Sequence, residues 1–298
     1  MKAKDSSVNA TGGIGRMTAV AVLNALVSAV ELAGGILSGS LSLLSDSLHN
    51  FGDTAAILTS WAALRVAGKG RSVRKTYGYQ RAEILAAFVN AAFLLVLSVF
   101  LFAAAVGRFR NPTRVDGVLM MLIAAIGCVA NLLSSLLLKS RATGNMNVRS
   151  SYLHMLSDTV SSFGVLAGGM AIRLWGVPWV DPLVSMLVSL YIIRETWLIV
   201  RQAVDILMQS SADVDYRRLK SDIESIPGVV NIHHVHTWRS DERTVYLEGH
   251  VDLRDMMLSE TGEIYAAIER VLKETHGIAH ATIQFETDRC ADKEIVKL

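Results

Sequence analysis

Between Met17 and Arg201 the sequence is dominated by long apolar runs, and from Ser210 onward it becomes ordinary and charged. That split constrains the fold more than any other feature. A helix needs ~20 mostly apolar residues to cross ~30 Å of hydrocarbon. Six stretches reach that length, at roughly 17–37, 41–66, 83–107, 117–138, 150–173 and 180–201. Lipid offers no partner for backbone N–H and C=O groups, so the six are expected to be helices rather than open strands. The first run begins only at Met17 and continues for a full span, which does not read as a cleaved signal peptide. Apolar residues make up 51% of the chain and charged residues 19%, where a soluble domain carries roughly 25% charge. A wholly soluble globule and a disordered chain are both excluded. A net charge of +2 supplies no basic field for nucleic acid, so no such partner is expected. The two cysteines, Cys128 in an apolar run and Cys290 near the C-terminus, exclude a disulfide framework.

Lysines and arginines near the span ends set the orientation. One side collects Lys2, Lys4, Arg16, Arg65, Lys69, Arg71, Arg74, Lys75, Arg81, Lys139, Arg141 and Arg149. The other side has Arg108, Arg110, Arg114 and Arg173, the first three running against the trend. The imbalance puts both termini in the cytoplasm. The expected organisation is a cytoplasmic N-terminal tail (1–16), a six-helix transmembrane domain (17–208), a cytoplasmic domain (209–290) and a short C-terminal tail (291–298). The basic segment Gly68–Arg74 reads as a loop anchored beside anionic lipid. The cytoplasmic part reads as αββαβ. A helix over Tyr216–Ile226 stops at Pro227-Gly228. Strands follow over Val229–Trp238 and Thr244–Leu253, with a turn at Ser240-Asp241-Glu242. A helix over Ser259–Thr275, opening on a cap-like Ser259 and ended by Gly277, leads to a last strand over Ala281–Glu286. That order suits a small α+β sheet with helices on one face.

Ionisable groups inside spans are costly, so each needs a partner or a task. The second span holds Asp46, His49 and Asp53, the fifth holds His154 and Asp158, and the first holds Glu31. His49 and Asp53 are four apart, as are His154 and Asp158, and residues four apart share a helix face. Each pair therefore aims one imidazole and one carboxylate in one direction. If the two helices face each other, two nitrogens and two oxygens converge, a good donor set for tetrahedral Zn²⁺. Two carboxylates also cancel the charge of a divalent ion and so reduce the cost of burial. A single His-x-x-x-Asp is explained equally well as a hydrogen bond gluing helices together. Two such pairs in two spans favour metal. Asp46, near the outer end of its span, reads as a solvated interfacial carboxylate, with cation attraction as the alternative. Glu31 either faces the same cavity or pairs with another helix.

Several runs resemble one known family, the cation diffusion facilitators. These are Ser42-Leu43-Leu44-Ser45-Asp46-Ser47-Leu48-His49-Asn50-Phe51-Gly52-Asp53, Tyr77-Gly78-Tyr79-Gln80-Arg81-Ala82-Glu83-Ile84-Leu85 and His154-Met155-Leu156-Ser157-Asp158. The tail segments His233-His234-Val235-His236-Thr237-Trp238 and Thr282-Ile283-Gln284-Phe285-Glu286 fit the same family. The resemblance spans Met17 to Glu286. It implies a membrane six-helix transporter with a cytoplasmic metallochaperone-like domain, working as a homodimer and exporting divalent metal in exchange for protons. By motif position His49, Asp53, His154 and Asp158 match the family's transport site, in the form of its zinc-type members. Zn²⁺ is then the expected substrate, with Cd²⁺ or Co²⁺ as further cargo and protons as counter-ion. The expected location is the plasma (inner) membrane. A further site that some members carry between the second and third spans is expected to be absent, because Arg65–Gln80 contains no His, Asp, Glu or Cys. Arg81 and Asp205 occupy the positions of a family charge pair that would interlock the third and sixth spans.

Six of the eight histidines lie in the tail: His233, His234, His236, His250, His276 and His280. Strand alternation would put His234 and His236 on one face and His233 on the other. His233, His250 and Glu286 match positions that bind cytoplasmic zinc in relatives. Gln284 stands where some relatives have His, and His280 is expected to supply the missing nitrogen. Cys290 reads as a bystander, with a thiolate contributed to the site as the alternative, Trp238 and Tyr246 as core, and Met120-Met121 and Met256-Met257 as packing. Two other functional classes fit the sequence less well. A zinc-sensing membrane receptor would need a silent membrane part. An intramembrane metalloenzyme would need an open ligand position and a general base, as in His-Glu-x-x-His, and the chain has no such motif.

Overall fold

The computed structural model describes residues 22–139 and 146–296. Lys2, Lys4, Arg16 and Arg141, used above for orientation, lie outside the described residues, as does the start of the first span. Six long helices come first: α1 (Val22–Ser38), α2 (Leu41–Ala67), α3 (Ala82–Arg110), α4 (Gly117–Lys139), α5 (Met146–Trp175) and α6 (Val180–Leu207). Among the described residues α3, α4, α5 and α6 are both long and apolar enough to cross a membrane. The described part of α1 is short for a span, and α2 has the length but not the apolar content. The reason is the polar stripe of α2, where Ser42, Ser45, Asp46, Ser47 and Asn50 are all buried. Large exposed apolar side chains crowd α1–α6, whereas beyond Met208 only Val230, Met257 and Leu258 are exposed among the described residues. A bilayer would cover the first set, and the second is ordinary for a domain in water.

The chain divides into two compact units: residues up to Trp61 with Val89–Val200, and Ala62–Phe88 with Arg201 onward. In the first, Leu43, Met120, Ala124 and Val165 form a buried apolar cluster. Helices α4 and α5 touch backbone to backbone. A Cβ on Gly169 would stand 3.0 Å from Met121 N, and one on Gly117 would stand 3.0 Å from the Gly169 carbonyl oxygen. Small residues permit that approach in a membrane, where close packing replaces the hydrophobic effect. The start of α2 is held by Asp181 of α6, which is fully buried. Its carboxylate accepts from Ser40 Oγ (2.6 Å), Leu41 N (2.9 Å), Ser42 N (3.1 Å) and Ser42 Oγ (2.7 Å). The orphan N–H groups of a helix start and the positive end of its dipole make this a strong cap.

In the second unit, α7 (Tyr216–Glu224), β1 (Val229–Arg239), β2 (Val245–Leu253), α8 (Thr261–His276) and β3 (Ile278–Glu286) follow the expected αββαβ order. The sheet runs β1-β2-β3, antiparallel between β1 and β2 and parallel between β2 and β3. Leu219 and Ile223 of α7 and Ile268 and Leu272 of α8 pack on Ile232, Val235, Leu247, Val251 and Ala281, so both helices cover one sheet face. Asp215 caps α7 through the amides of Arg217 and Arg218, and Gly277 ends α8 in the left-handed region. Ser259 is not a cap: α8 starts at Thr261, and the Glu260 carboxylate accepts from Met257 N.

One departure matters for the site. β1 carries a bulge, with His233 opposite His250 but His236 already opposite Glu248. Two residues, His234 and Val235, then face the single Gly249, and His234 takes a positive φ of 53°. Alternation fails there. Ile232 and His233 are both buried in succession, and Val235 returns to the core.

Candidate metal centres

Helices α2 and α5 bring the two i,i+4 pairs face to face. His49 Nε2 stands 3.7 Å from Asp53 Oδ2 and 3.5 Å from Asp158 Oδ1. His154 Nε2 stands 3.0 Å from Asp53 Oδ2 and 3.8 Å from Asp158 Oδ2. Each imidazole thus faces both carboxylates, in a closed ring of alternating nitrogen and oxygen. The four donor atoms all lie within 4.8 Å of one another. Donors ~2.1 Å from a tetrahedral Zn²⁺ stand roughly 3.4 Å apart, and the four nitrogen–oxygen spacings, with Asp158 meeting the two imidazoles through different oxygens, bracket that value. Asp158 is 2% exposed, and its Oδ2 is buried with no hydrogen-bond donor. A buried carboxylate oxygen without a donor is costly unless a cation faces it.

Around this ring lies a buried polar belt. Asp46, expected in solvent, is buried instead. Its Oδ1 accepts from Ser161 Oγ and its Oδ2 from Ser162 Oγ, both at 2.8 Å, which ties α2 to α5 beside the four donors. Glu31 is also buried, and its Oε2 accepts from Asn50 Nδ2 at 3.1 Å. The carboxyl fits a notch in α4, where any Cβ on Gly127 would collide with Glu31 Oε1. Glu31 therefore pairs with α2 from the first helix, one residue from His49.

A second cluster forms in the tail, from His233, His250, Glu286 and Cys290, whose donor atoms also lie within 4.8 Å of one another. Glu286 Oε1 stands 2.8 Å from His233 Nε2 and 3.2 Å from His250 Nδ1. Cys290 Sγ stands 3.7 Å from His250 Nδ1. Burial pushes the Glu286 carboxyl up, but the Cys290 thiol and the imidazoles of His250 and His233 together hold it below its ordinary range. The Glu286 carboxylate, accepting from Cys290, pushes that thiol up. Two expectations fail here. Cys290 is part of the cluster and not a bystander. His280 is not part of it: it lies inside β3, opposite Tyr246, and its ring meets Tyr246 at 5.6 Å. Six residues of strand, ~20 Å, separate it from Glu286. Gln284 donates weakly to Glu286 Oε2 at 3.4 Å.

Residues 17–208 match the cation efflux transmembrane domain, and residues 212–288 match the cation efflux protein cytoplasmic domain. The chain belongs to the cation efflux family. It is a transporter and not an enzyme. Relatives cover most of it. The zinc transporter ZitB of Escherichia coli is 38% identical over 88% of this chain and 83% of its own length. The cadmium, cobalt and zinc/H(+)-K(+) antiporter of Bacillus subtilis is 35% identical over 87% and 84%. The metal cation efflux system protein CzcD of Cupriavidus metallidurans is 32% identical over 87% and 82%.

In this cation efflux protein the third and sixth helices meet without the expected charge pair. Among the ion pairs of the described residues Arg81–Asp205 does not occur, and Asp205 is exposed. The contact is apolar instead: Ile84 packs against Ala203 and Ile206, with Phe88 and Leu207 beside them. Gln80, next to Arg81, accepts from Tyr246 Oη at 3.4 Å, and Tyr77 meets the Tyr246 ring edge-on at 5.6 Å.

Proposed function

We propose that this cation efflux protein exports Zn²⁺, and also Cd²⁺ or Co²⁺, from the cytoplasm in exchange for protons, with His49, Asp53, His154 and Asp158 as the transport site. It would work as a homodimer in the plasma (inner) membrane with both termini in the cytoplasm. The observation that carries the proposal is the closed ring of two imidazoles and two carboxylates on two facing helices. The names of the relatives support the choice of metal and of antiport. So does the donor set, since imidazole with carboxylate suits Zn²⁺ better than an all-oxygen set would.

Metal binding needs neutral imidazoles and ionised carboxylates, so loading the site expels protons. In the reverse step, protons from the far side protonate an imidazole, whose unperturbed pKa lies near ~6.5, and the ion is released. The ligands sit as halves on two helices, so parting α2 from α5 splits the donor set two and two. That is how a binding site also becomes a release site under alternating access. Asp46 and its two serines fix the distance between the halves in the closed arrangement. The tail cluster of His233, His250 and Glu286 would hold a regulatory ion that biases the transport equilibrium.

The test is zinc uptake into everted vesicles. Asp53→Ala and Asp158→Ala are each expected to reduce flux by ~100-fold or more, since each removes one of the two carboxylates that offset the charge of a divalent ion. Wild-type rates in both variants would remove the site from consideration. A zinc sensor without transport would show no flux in the unaltered protein.

A further inference from the structure

The segment after β3 is not a loose end. It turns at Asp288, which has a positive φ of 48°, and Asp288 N donates to Asp252 Oδ1 at 3.1 Å. Lys293 Nζ pairs with Asp252 as well. The segment then runs back to the β1 bulge. There the two amides that the bulge withholds from β2 find their acceptors: His234 N donates to Glu294 O (3.1 Å) and Val235 N to Ile295 O (2.7 Å). Ile295 packs on the domain core. Between these anchors Cys290 is carried to the His233–His250–Glu286 cluster.

We propose that Cys290 Sγ is the fourth donor of a thiophilic metal site in the tail, N₂OS in composition, and that the bound ion staples residues 288–296 to the sheet. This rests on the reading of the tail cluster as a regulatory metal site and adds its fourth ligand, its metal class and what occupancy does. Three observations carry it. With Zn–S near ~2.3 Å and Zn–N near ~2.1 Å, a tetrahedral S···N edge is roughly 3.6 Å, and Cys290 Sγ to His250 Nδ1 is 3.7 Å. His233 Nδ1 donates to Asn231 Oδ1 at 3.0 Å, which fixes the tautomer and leaves the Nε2 lone pair aimed at Glu286 Oε1, 2.8 Å away. Two lone pairs that close require a proton or a cation between them, and an outer hydrogen bond of this kind is how a metal-binding histidine is oriented. Finally, one carboxylate and one thiolate neutralise a divalent ion, and the thiolate directs the site to Zn²⁺ or Cd²⁺ and away from Mn²⁺ or Mg²⁺. On binding, the S–H bond breaks, the S–metal bond forms and the proton leaves to solvent.

The probe is Co²⁺ titrated into the full-length protein in detergent micelles under reducing conditions. A thiolate-to-cobalt charge-transfer band is expected in the near ultraviolet, saturating at one ion per chain. It should be retained in Asp53→Ala and in Cys128→Ser, and lost in Cys290→Ser. Affinity for Cd²⁺ should fall about tenfold or more in Cys290→Ser. Cd²⁺ should also slow hydrogen exchange at the amides of His234 and Val235 in the unaltered protein and not in Cys290→Ser. A band that survives Cys290→Ser, or no band while cobalt binding still depends on His233 and His250, overturns the fourth ligand and leaves the tail site standing. Cobalt binding insensitive to both His233→Ala and His250→Ala overturns the tail site itself. Equal exchange with and without Cd²⁺ overturns the staple.

Discussion

The membrane cluster and the tail cluster hold the same pair of imidazoles in nearly the same relation. The rings of His49 and His154 lie 5.9 Å apart at 78°, and those of His233 and His250 lie 5.6 Å apart at 78°. What surrounds each pair differs. In the membrane, the donors come as two halves from two helices, and one of them, His154, is 39% exposed. In the tail, three donors stand on adjacent strands of one sheet, the fourth on a segment anchored to that sheet, and His233 is 1% exposed. A set divided between two rigid rods can be opened by moving one rod. A set mounted on one small sheet can only be opened by unfolding part of it. The first arrangement suits an ion in transit and the second an ion that stays.

The sharpest way to break this comparison is to remove one histidine from each cluster. His154→Ala is expected to lower zinc flux by ~100-fold or more, since it removes one of the four donors and leaves buried Asp158 and half-buried Asp53 with a single imidazole between them. His250→Ala is expected to change flux within about tenfold, the scale of a regulatory coupling. Equal losses would show that the tail is part of the path. The scaffold under the membrane cluster comes next. Asp181→Ala strips four hydrogen bonds from the start of α2 and should cost about 2–4 kcal/mol, read as a lower melting temperature in detergent. Gly169→Ala forces α4 and α5 apart and should cost about 1–3 kcal/mol in the same melt. The smallest effect concerns the tail alone. The Glu286 carboxyl is held below its ordinary range, so it contributes stability that is fully present above the unfolded value of about 4.5 and is lost as pH falls below that, through the lowered folded-state value. Melts of the metal-free protein between neutral and acidic pH should show this loss, and Glu286→Gln should flatten it.

The two clusters were also unequally legible from the sequence. His49, Asp53, His154 and Asp158 announce themselves because a helix maps a spacing of four onto one face, whatever the rest of the chain does. Helices α3–α6 and the αββαβ order follow from hydropathy and turn residues in the same local way. Cys290 is legible in the sequence only as the second choice, since its place depends on a bulge and on a chain reversal at Asp288, both set by long-range pairing. His280 was misplaced because β3 was expected to start at Ala281, and it starts at Ile278. Asp46 was misread as solvated, although a signal existed: Ser161 and Ser162 lie three and four residues past Asp158, on the face that turns toward α2. Arg81 and Asp205 sit at the ends of helices that do meet, but the meeting is made by Ile84, Ala203 and Ile206, which no charge pattern reveals.

The Asp181 cap also decides how α2 is able to swing. With its first turn tethered to α6, the rod has a fulcrum at that end, and displacement grows with distance along it. Asp53 lies twelve residues beyond Leu41, a lever arm of ~18 Å, so pulling its oxygen ~3 Å away from His154 takes a tilt of only ~10°. A small angular step at one anchored joint is therefore enough to uncouple the two halves of the ring, while Leu41 itself hardly moves.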